Sequence, residues 1–112
     1  MDNAVQNIEF TTANGGHKVV LKPFITGFDK RAINIAIVDM PEGTGNATRA
    51  AMWDDARLKA VVVSISVKNA EGVEEVKTED LANVALALDN RDYQEIHEKV
   101  DEVIGDKKKV TT

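Results

Sequence analysis

The sequence predicts a single α+β domain, in which an N-terminal β-hairpin and a third strand pack against about four short helices. The last two helices are expected to form a C-terminal helical pair. Three patterns lead to this prediction. An Asn-Gly dipeptide between two β-prone runs is a strong hairpin signal. A later run of valines and isoleucines alternates with other residues, as a half-buried strand does, and two segments near the end have apolar residues at helical spacing.

The predicted hairpin joins residues 5–12 to residues 18–24. Its turn is the Ala-Asn-Gly-Gly sequence at 13–16, which contains the residue types that tight turns require. Pro23 has no backbone N–H, so it should end the second strand or lie on a sheet edge. The sequence therefore predicts an antiparallel pair of strands at the start of the domain.

Residues 28–40 fit two interpretations. Thr26 can cap a helix, and Asp29 three residues later favours the positive end of a helix dipole. The apolar residues from 33 to 38 are nearly continuous, however, and a buried strand would explain them as well. Pro41 ends the element in either case. The capping pattern leads us to expect a helix.

The middle of the chain predicts a loop, a helix and a strand. Residues 42–46 contain two glycines and indicate a loop, whose last residue, Asn46, can cap a helix over residues 47–57. Residues 59–68 alternate as a half-buried strand does. One face of this strand is predicted to carry the apolar residues Val61, Val63, Ile65 and Val67, and the other Val62, Ser64, Ser66 and Lys68.

Two helices are expected to complete the domain. Thr78 is a suitable N-cap for the first, over residues 81–88, and the Asp-Asn pair at 89–90 can cap the second, over residues 91–104. Both segments place apolar residues on one helical face. Gly105 is the residue type expected just after a helix end. We assign residues 1–105 to one domain and residues 106–112 to a basic C-terminal tail.

Composition argues against catalysis and against a cofactor. The chain has no cysteine, which excludes disulfides, thiolate metal sites and a cysteine nucleophile. Its two histidines, His17 and His97, are interpreted as surface residues and lack the spacing of zinc ligands. The net charge of −5 disfavours nucleic acid, and the longest apolar run is too short to span a bilayer. We therefore expect a binding protein without enzymatic activity that contacts neither nucleic acid nor membrane.

Six residues are candidates for contact with a protein partner. Trp53 is of a type enriched in binding hot spots, although a core position explains it at least as well. Tyr93 is also a natural core residue with its hydroxyl at the rim. The other four belong, with Tyr93, to the apolar stripe of the last predicted helix: Ile96, Val100, Val103 and Ile104. The sequence leaves open which part of this stripe is core and which part faces a partner.

Several short motifs follow one another in a characteristic order. Residues 19–27 read VVLKPFITG and precede the charged triplet at 29–31. The strand around 61–67 is followed by a turn and a helix, and then by NRDYQEI at 90–96. This order resembles the small tail assembly chaperones of long, non-contractile-tailed (lambda-like) bacteriophages. Members often have a second strand that reads valine–leucine–basic, a Thr-Gly before a charged helix, and an Asp-Tyr-x-x-Ile/Leu start to the last helix. The resemblance covers residues 17–105.

The resemblance implies a chaperone that binds the tape-measure protein, keeps its apolar helices soluble and recruits tail-tube protein. It would act in the cytoplasm of the infected bacterial host, with or without forming a homo-oligomer, and would not remain in the virion. Family members often have a longer form made by ribosomal frameshifting, and the lysines at 107–109 lie where the family would place the slippery codons. A plain solvated tail also explains these lysines. The alternatives are a structural tail-completion or head–tail joining protein, and an unrelated small protein-binding adaptor.

Overall fold

A four-stranded antiparallel sheet and four helices build the domain. The computed structural model describes residues 6–105. The elements in chain order are β1 (Ile8–Thr11), β2 (Lys18–Leu21), α1 (Gly27–Val38), α2 (Asn46–Val61), β3 (Val62–Lys68), β4 (Glu74–Lys77), α3 (Leu81–Leu86) and α4 (Asn90–Ile104). The strand order is β1-β2-β3-β4. The predicted α+β class is confirmed, with one strand more than expected. The predicted start of the first strand at residue 5 and the basic tail at 106–112 lie outside the described residues.

The hydrophobic core joins the two central strands to the last three helices. Aliphatic side chains fill it, and burial of each valine, leucine or isoleucine contributes roughly 1.5–3 kcal/mol. Strands β2 and β3 contribute Val19, Leu21, Val62 and Ile65; helices α2, α3 and α4 contribute Leu58, Val61, Leu81, Ala82, Ala85, Ile96 and Val100. Among the described side chains, none from α1 belongs to this cluster, and the helix packs chiefly on α2. The helix predicted over residues 28–40 is therefore confirmed, but it lies at the periphery of the domain.

The predicted hairpin is confirmed, and its loop is held by backbone hydrogen bonds. The Thr12 N–H donates to the His17 carbonyl at 2.8 Å, and the Gly16 N–H donates to the Thr12 carbonyl at 3.0 Å. Strand β1 pairs with β2 in the register Phe10 to Val19. This pairing places the hairpin loop at one end of the sheet, next to the start of α4.

Helix α2 continues into the segment that was predicted as strand. It ends at Val61, and Val62 starts β3 directly with extended backbone angles (φ −81°, ψ 128°). The pairing with β2 is irregular, because Leu21 pairs with Val62 whereas Val20 pairs with Ser64. One extra residue in a strand, a β-bulge, shifts the alternation of side chains that follows a simple strand.

Because of the bulge, the buried and exposed faces of β3 differ from those predicted. Val62 is buried although it was placed on the polar face, whereas Val63 was placed on the core face and is 38% exposed. Ile65 lies in the core as predicted. Alternating residues in the sequence indicate a strand, but they do not show where the strand contains a bulge. The pairing of β3 with β2 fixes the position of the bulge, and with it the side chains that face the core.

Strand β4 was missed, since residues 71–77 were treated as a link to the next helix. Its sequence, EEVK, has no apolar alternation. The turn before it supplies the missing signal, because the Asn69 side chain accepts hydrogen bonds from the N–H groups of Glu71 (2.8 Å) and Val73 (3.0 Å). Such side-chain bonds reverse the chain and bring β4 beside β3. Charged residues on this edge also discourage unwanted pairing with other strands.

The helix ends match the predicted caps at three of five positions. Thr26 and Asp29 bond each other's backbone N–H groups at the start of α1, at 3.2 and 3.0 Å. Asp89 caps α4 by accepting from the Arg91 N–H at 2.8 Å. Gly105 ends α4 with a φ of +79°, in the left-handed region that suits glycine.

Two predicted caps are wrong. Asn46 is already the first residue of α2, and Gly45 occupies the cap position without a side-chain bond. Helix α3 starts at Leu81 after Asp80, which has a left-handed conformation (φ +55°), so Thr78 is not its cap. Helix α3 also ends two residues earlier than predicted, at Leu86. At neither start does the residue in the cap position form a side-chain cap bond, so the cap residue types nearby did not locate these helix starts.

Candidate protein-binding surface

The outward side of α1 is the most apolar exposed helical surface in the described residues. Phe28, Ile35 and Val38 are 82%, 47% and 77% exposed. Their spacing of seven and three residues places them on one face of the helix. Ile33, on the opposite side of the helix, is 2% exposed, and Met40, which follows the helix, is 7% exposed. Helix α1 therefore uses one side for packing and presents the other to solvent.

We define the α1 face as the exposed residues Phe28, Arg31, Ala32, Ile35, Val38 and Asp39. Phe24, in the segment before the helix, is also 55% exposed and adds a second aromatic ring near its start. Clustered exposed apolar side chains mark interaction sites more often than scattered ones do. The α1 face is consequently the best candidate for a partner-binding surface.

Sequence reasoning missed the α1 face, although a signal was present. The apolar residues between 33 and 38 are nearly continuous, and a helix made from them has apolar residues on more than one side. A helix that is apolar all round needs cover on all sides. The packing of α1, which is chiefly on α2, leaves Phe28, Ile35 and Val38 exposed on the other side.

The apolar stripe of α4 is mainly core. Ile96 and Val100 are fully buried, at 0% exposure. These two residues are therefore the core part of the stripe, which the sequence left undecided, and a partner contact through them stays a prediction. Val103 and Ile104 are half-buried and pack against the core cluster. A partner-binding role for Val103 and Ile104 stays a prediction.

Trp53 belongs to a polar contact between α2 and α4. The Arg57 guanidinium lies 4.9 Å from the centre of the Trp53 ring, where a cation is attracted to the ring face. Arg57 also bonds Asp101 of α4 and lies 3.9 Å from Asp54. Trp53 is half-buried, and its Nε1 donor is buried without a hydrogen-bond partner. The side chain thus helps to join two helices, and a partner contact through it stays a prediction.

Tyr93 lies beside this contact, on α4. Its ring meets the His97 ring edge-on, with 4.7 Å between the ring centres. Burial raises the pKa of Tyr93, because it disfavours the charged phenolate, and the nearby carboxylates of Asp54 and Asp55 act in the same direction. The pair is half-buried, so Tyr93 has core packing together with some exposed surface.

Asp92 holds the hairpin loop onto the first turn of α4. Its carboxylate is 1% exposed and accepts hydrogen bonds from the Gly15 N–H at 3.0 Å and the Asn14 amide at 3.3 Å. One turn later, Glu95 accepts from the Ala13 N–H at 2.9 Å. The Asp-Tyr motif that carries the family resemblance therefore has a structural role here, because its aspartate fixes the loop.

His17 is buried, contrary to the prediction of a surface residue. Its Nδ1 accepts a hydrogen bond from the Lys68 N–H at 3.0 Å, so the ring proton of the neutral form lies on Nε2. This Nε2 is 3.7 Å from the Asp92 carboxylate. A Cβ on Gly15 would lie 2.6 Å from the same carboxylate, so only glycine fits at this position of the loop.

His97 also departs from its predicted place on the surface. It is half-buried, and burial lowers its pKa below the ordinary value of 6.5. Nearby carboxylates, chiefly Asp54 and Asp101, oppose this effect, and Arg57 reinforces it. The net direction is downward, which favours the neutral ring in the folded protein.

We expect the domain to lose stability as the pH falls below 6.5, since the unfolded chain then binds a proton on residue 97 that the folded chain resists. This contribution of His97 is fully present above pH 6.5. The variant His97→Gln should have a flatter dependence between pH 7.5 and 5.5, as measured by urea unfolding. If stability depends on pH as steeply in the variant as in the wild type, groups other than His97 cause the dependence.

Two kinds of feature are absent from the part of the chain that the structure describes, a metal-ligand cluster and a membrane-spanning helix. Among residues 6–105, no group of three or more histidine, aspartate or glutamate side chains is placed to hold a metal ion. Within the same range, no helix has both the length and the apolar character needed to cross a bilayer. The arrangement can offer surfaces for protein contact, of which the α1 face is the most apolar.

Comparisons with known proteins add no family assignment. The chain matches no protein-family model. Neither the curated proteins nor the solved structures contain a significant match to it.

Proposed function

We propose that this chain is a tail assembly chaperone of a long-tailed bacteriophage. In this role it binds the tape-measure protein, recruits tail-tube subunits and leaves the assembled tail. It acts without enzymatic chemistry, in the cytoplasm of the infected host. The motif order of residues 17–105 suggests the family, and the α1 face supplies a surface suited to such a partner.

The exposed apolar side of α1 is the observation that carries the proposal. A tape-measure protein is long and helical, and its apolar helices need cover before they enter the tail. One helix can pack on another by fitting side-chain ridges into grooves, and the α1 face offers Phe28, Ile35 and Val38 for such packing. Helix α1 lies outside the core cluster, so a client can bind there without disturbing the core.

Charge supports the same role. The chain has a net charge of −5, and mutual repulsion of like-charged molecules opposes aggregation. A protein that covers the apolar helices of a client must keep the complex dissolved. The combination of an apolar face and an acidic remainder meets this requirement.

Substitution of the α1 face should abolish the chaperone function without unfolding the domain. We expect the double variant Phe28→Ser/Val38→Ser to leave a coexpressed tape-measure protein insoluble, whereas the wild-type chain keeps it in solution. Both side chains are more than three-quarters exposed, so the loss of core packing is small. The measurement is the soluble fraction of the tape-measure protein after coexpression.

A matched control is Val76→Ser on β4, where the valine is 62% exposed but belongs to a sheet edge. This control should keep the client soluble. Equal solubility of the client with the wild-type chain, the double variant and no added chain would contradict the proposal. Purified virions separate the chaperone from a structural tail protein, because only the structural protein remains in the particle.

A further inference from the structure

The α1 face carries two opposite charges at equal distances on either side of its centre. Ile35 lies in the middle of the face, with Arg31 four residues before it and Asp39 four residues after it. Ala32 and Val38 are three residues before and after. All five residues are exposed. At 3.6 residues per turn, Arg31, Ile35 and Asp39 fall within about 80° of one another around the helix.

Of the two charges, that of Asp39 opposes the dipole of its own helix, whereas Arg31 lies beyond the first turn, where the dipole acts only weakly. Asp39 directly follows the last residue of α1, where positive charge is favoured. The charge of Asp39 is thus unfavourable for its own helix, and neither Arg31 nor Asp39 has an oppositely charged partner within the described residues.

We propose that two copies of this chain pair through α1, with the helices antiparallel about a twofold axis at Ile35. In this arrangement Arg31 of each copy faces the partner's Asp39. Because the interface is isologous, one such contact implies a second, so four charges form two opposite-charge pairs. The small Ala32 lies opposite the partner's Val38, which gives the larger side chain room.

The geometry of packed helices suits this pairing. Four residues correspond to about 6 Å along a helix axis, so both ion pairs lie close to the crossing point. Packed helices are about 8–10 Å apart, a distance that an arginine side chain spans. The antiparallel arrangement also places each Arg31 near the C-terminal end of the partner's helix, where a positive charge is favoured.

The pairing concerns the protein without a client, and it is tested independently of the proposed function. A second copy covers Ile35 and Val38 when no client is present, and a client helix that binds the same face replaces it. Solubility of a client and mass of the free protein are separate measurements. A chain that pairs without protecting a client refutes the proposed function alone, and one that protects a client while staying monomeric refutes the pairing alone.

The test is a charge exchange read out by the mass of the full chain in analytical ultracentrifugation over a range of concentrations. We expect a monomer–dimer equilibrium for the wild type. Arg31→Asp and Asp39→Arg should each raise the dissociation constant of the dimer by about tenfold, because both ion pairs become like-charge contacts. The combined variant Arg31→Asp/Asp39→Arg should return it to near the wild-type value, because the pairs re-form with exchanged signs.

A second substitution checks the position of the axis. Ile35→Asp places two carboxylates against each other at the centre and should give a monomer, and a helical circular dichroism spectrum verifies that the chain is folded. The proposal is overturned if the wild type stays monomeric at millimolar concentration. It is equally overturned if the exchanged variant dissociates as readily as the single variants.

Discussion

Replacement of Ile96 by aspartate is expected to prevent the domain from folding. Ile96 is fully buried in the core between α4 and the sheet. Removal of a buried aliphatic side chain alone costs about 2–5 kcal/mol, and an unpaired carboxylate in the same place adds several kcal/mol. The sum is comparable to the whole stability of a small domain, which is about 5–15 kcal/mol. Circular dichroism during urea unfolding should show no cooperative transition.

Val103→Asp provides the matched control on the same helix. Val103 is half-buried at the margin of the core, where a carboxylate can reach water. We expect this variant to fold with a loss of about 1 kcal/mol from reduced burial. If the two variants unfold equally, the margin of the α4 stripe is as essential to the core as its centre.

Replacement of Asp92 by alanine should lower the free energy of unfolding by about 2–4 kcal/mol. The substitution removes the acceptor for the Gly15 N–H and the Asn14 amide, and it removes the carboxylate beside His17. The half-buried Gly15 N–H would lose its acceptor, at a cost of about 1–3 kcal/mol, whereas the exposed Asn14 amide can bond to water. Thermal unfolding should then occur roughly 10 °C or more below the wild-type midpoint.

Two further variants separate the hydrogen bonds of Asp92 from its charge. Asp92→Asn keeps an oxygen that can accept from Gly15, so its loss should be smaller than that of alanine. Glu98→Ala removes an exposed carboxylate from the same helix and should change stability by less than about 0.5 kcal/mol. A loss for Asp92→Ala as small as that for Glu98→Ala would mean that the loop is held mainly by other contacts.

The elements of the fold were predictable wherever a local signal was strong. The hairpin, α4 and its caps at Asp89 and Gly105 all follow from residue types within a few positions of each other, and the Thr26 and Asp29 pattern favoured the helix over the strand for α1. Errors occurred where two local patterns overlapped. Leu58 and Val61 suit a helix face and also a strand, and α2 continues through them before β3 begins.

The candidate surface was less predictable than the fold. Helical spacing of apolar residues marks a face that is buried, but it does not say whether the protein itself or a partner buries it. On α4 the domain buries Ile96 and Val100, whereas on α1 it leaves Phe28 and Val38 exposed. Both helices have apolar residues in the sequence. The helices differ in whether they pack on the core, and this difference decides which apolar residues are buried.

The sequence by itself determined the α+β class, the hairpin turn and the amphipathic character of the last helix, because these depend on neighbouring residues. Only the tertiary structure decided that the α4 stripe is core, that β4 exists as an edge strand, and that His17 and Asp92 meet across 75 positions of the chain. Each of these depends on contacts between distant segments. Burial and hydrogen bonding of that kind are properties of the packed chain, which local patterns do not contain.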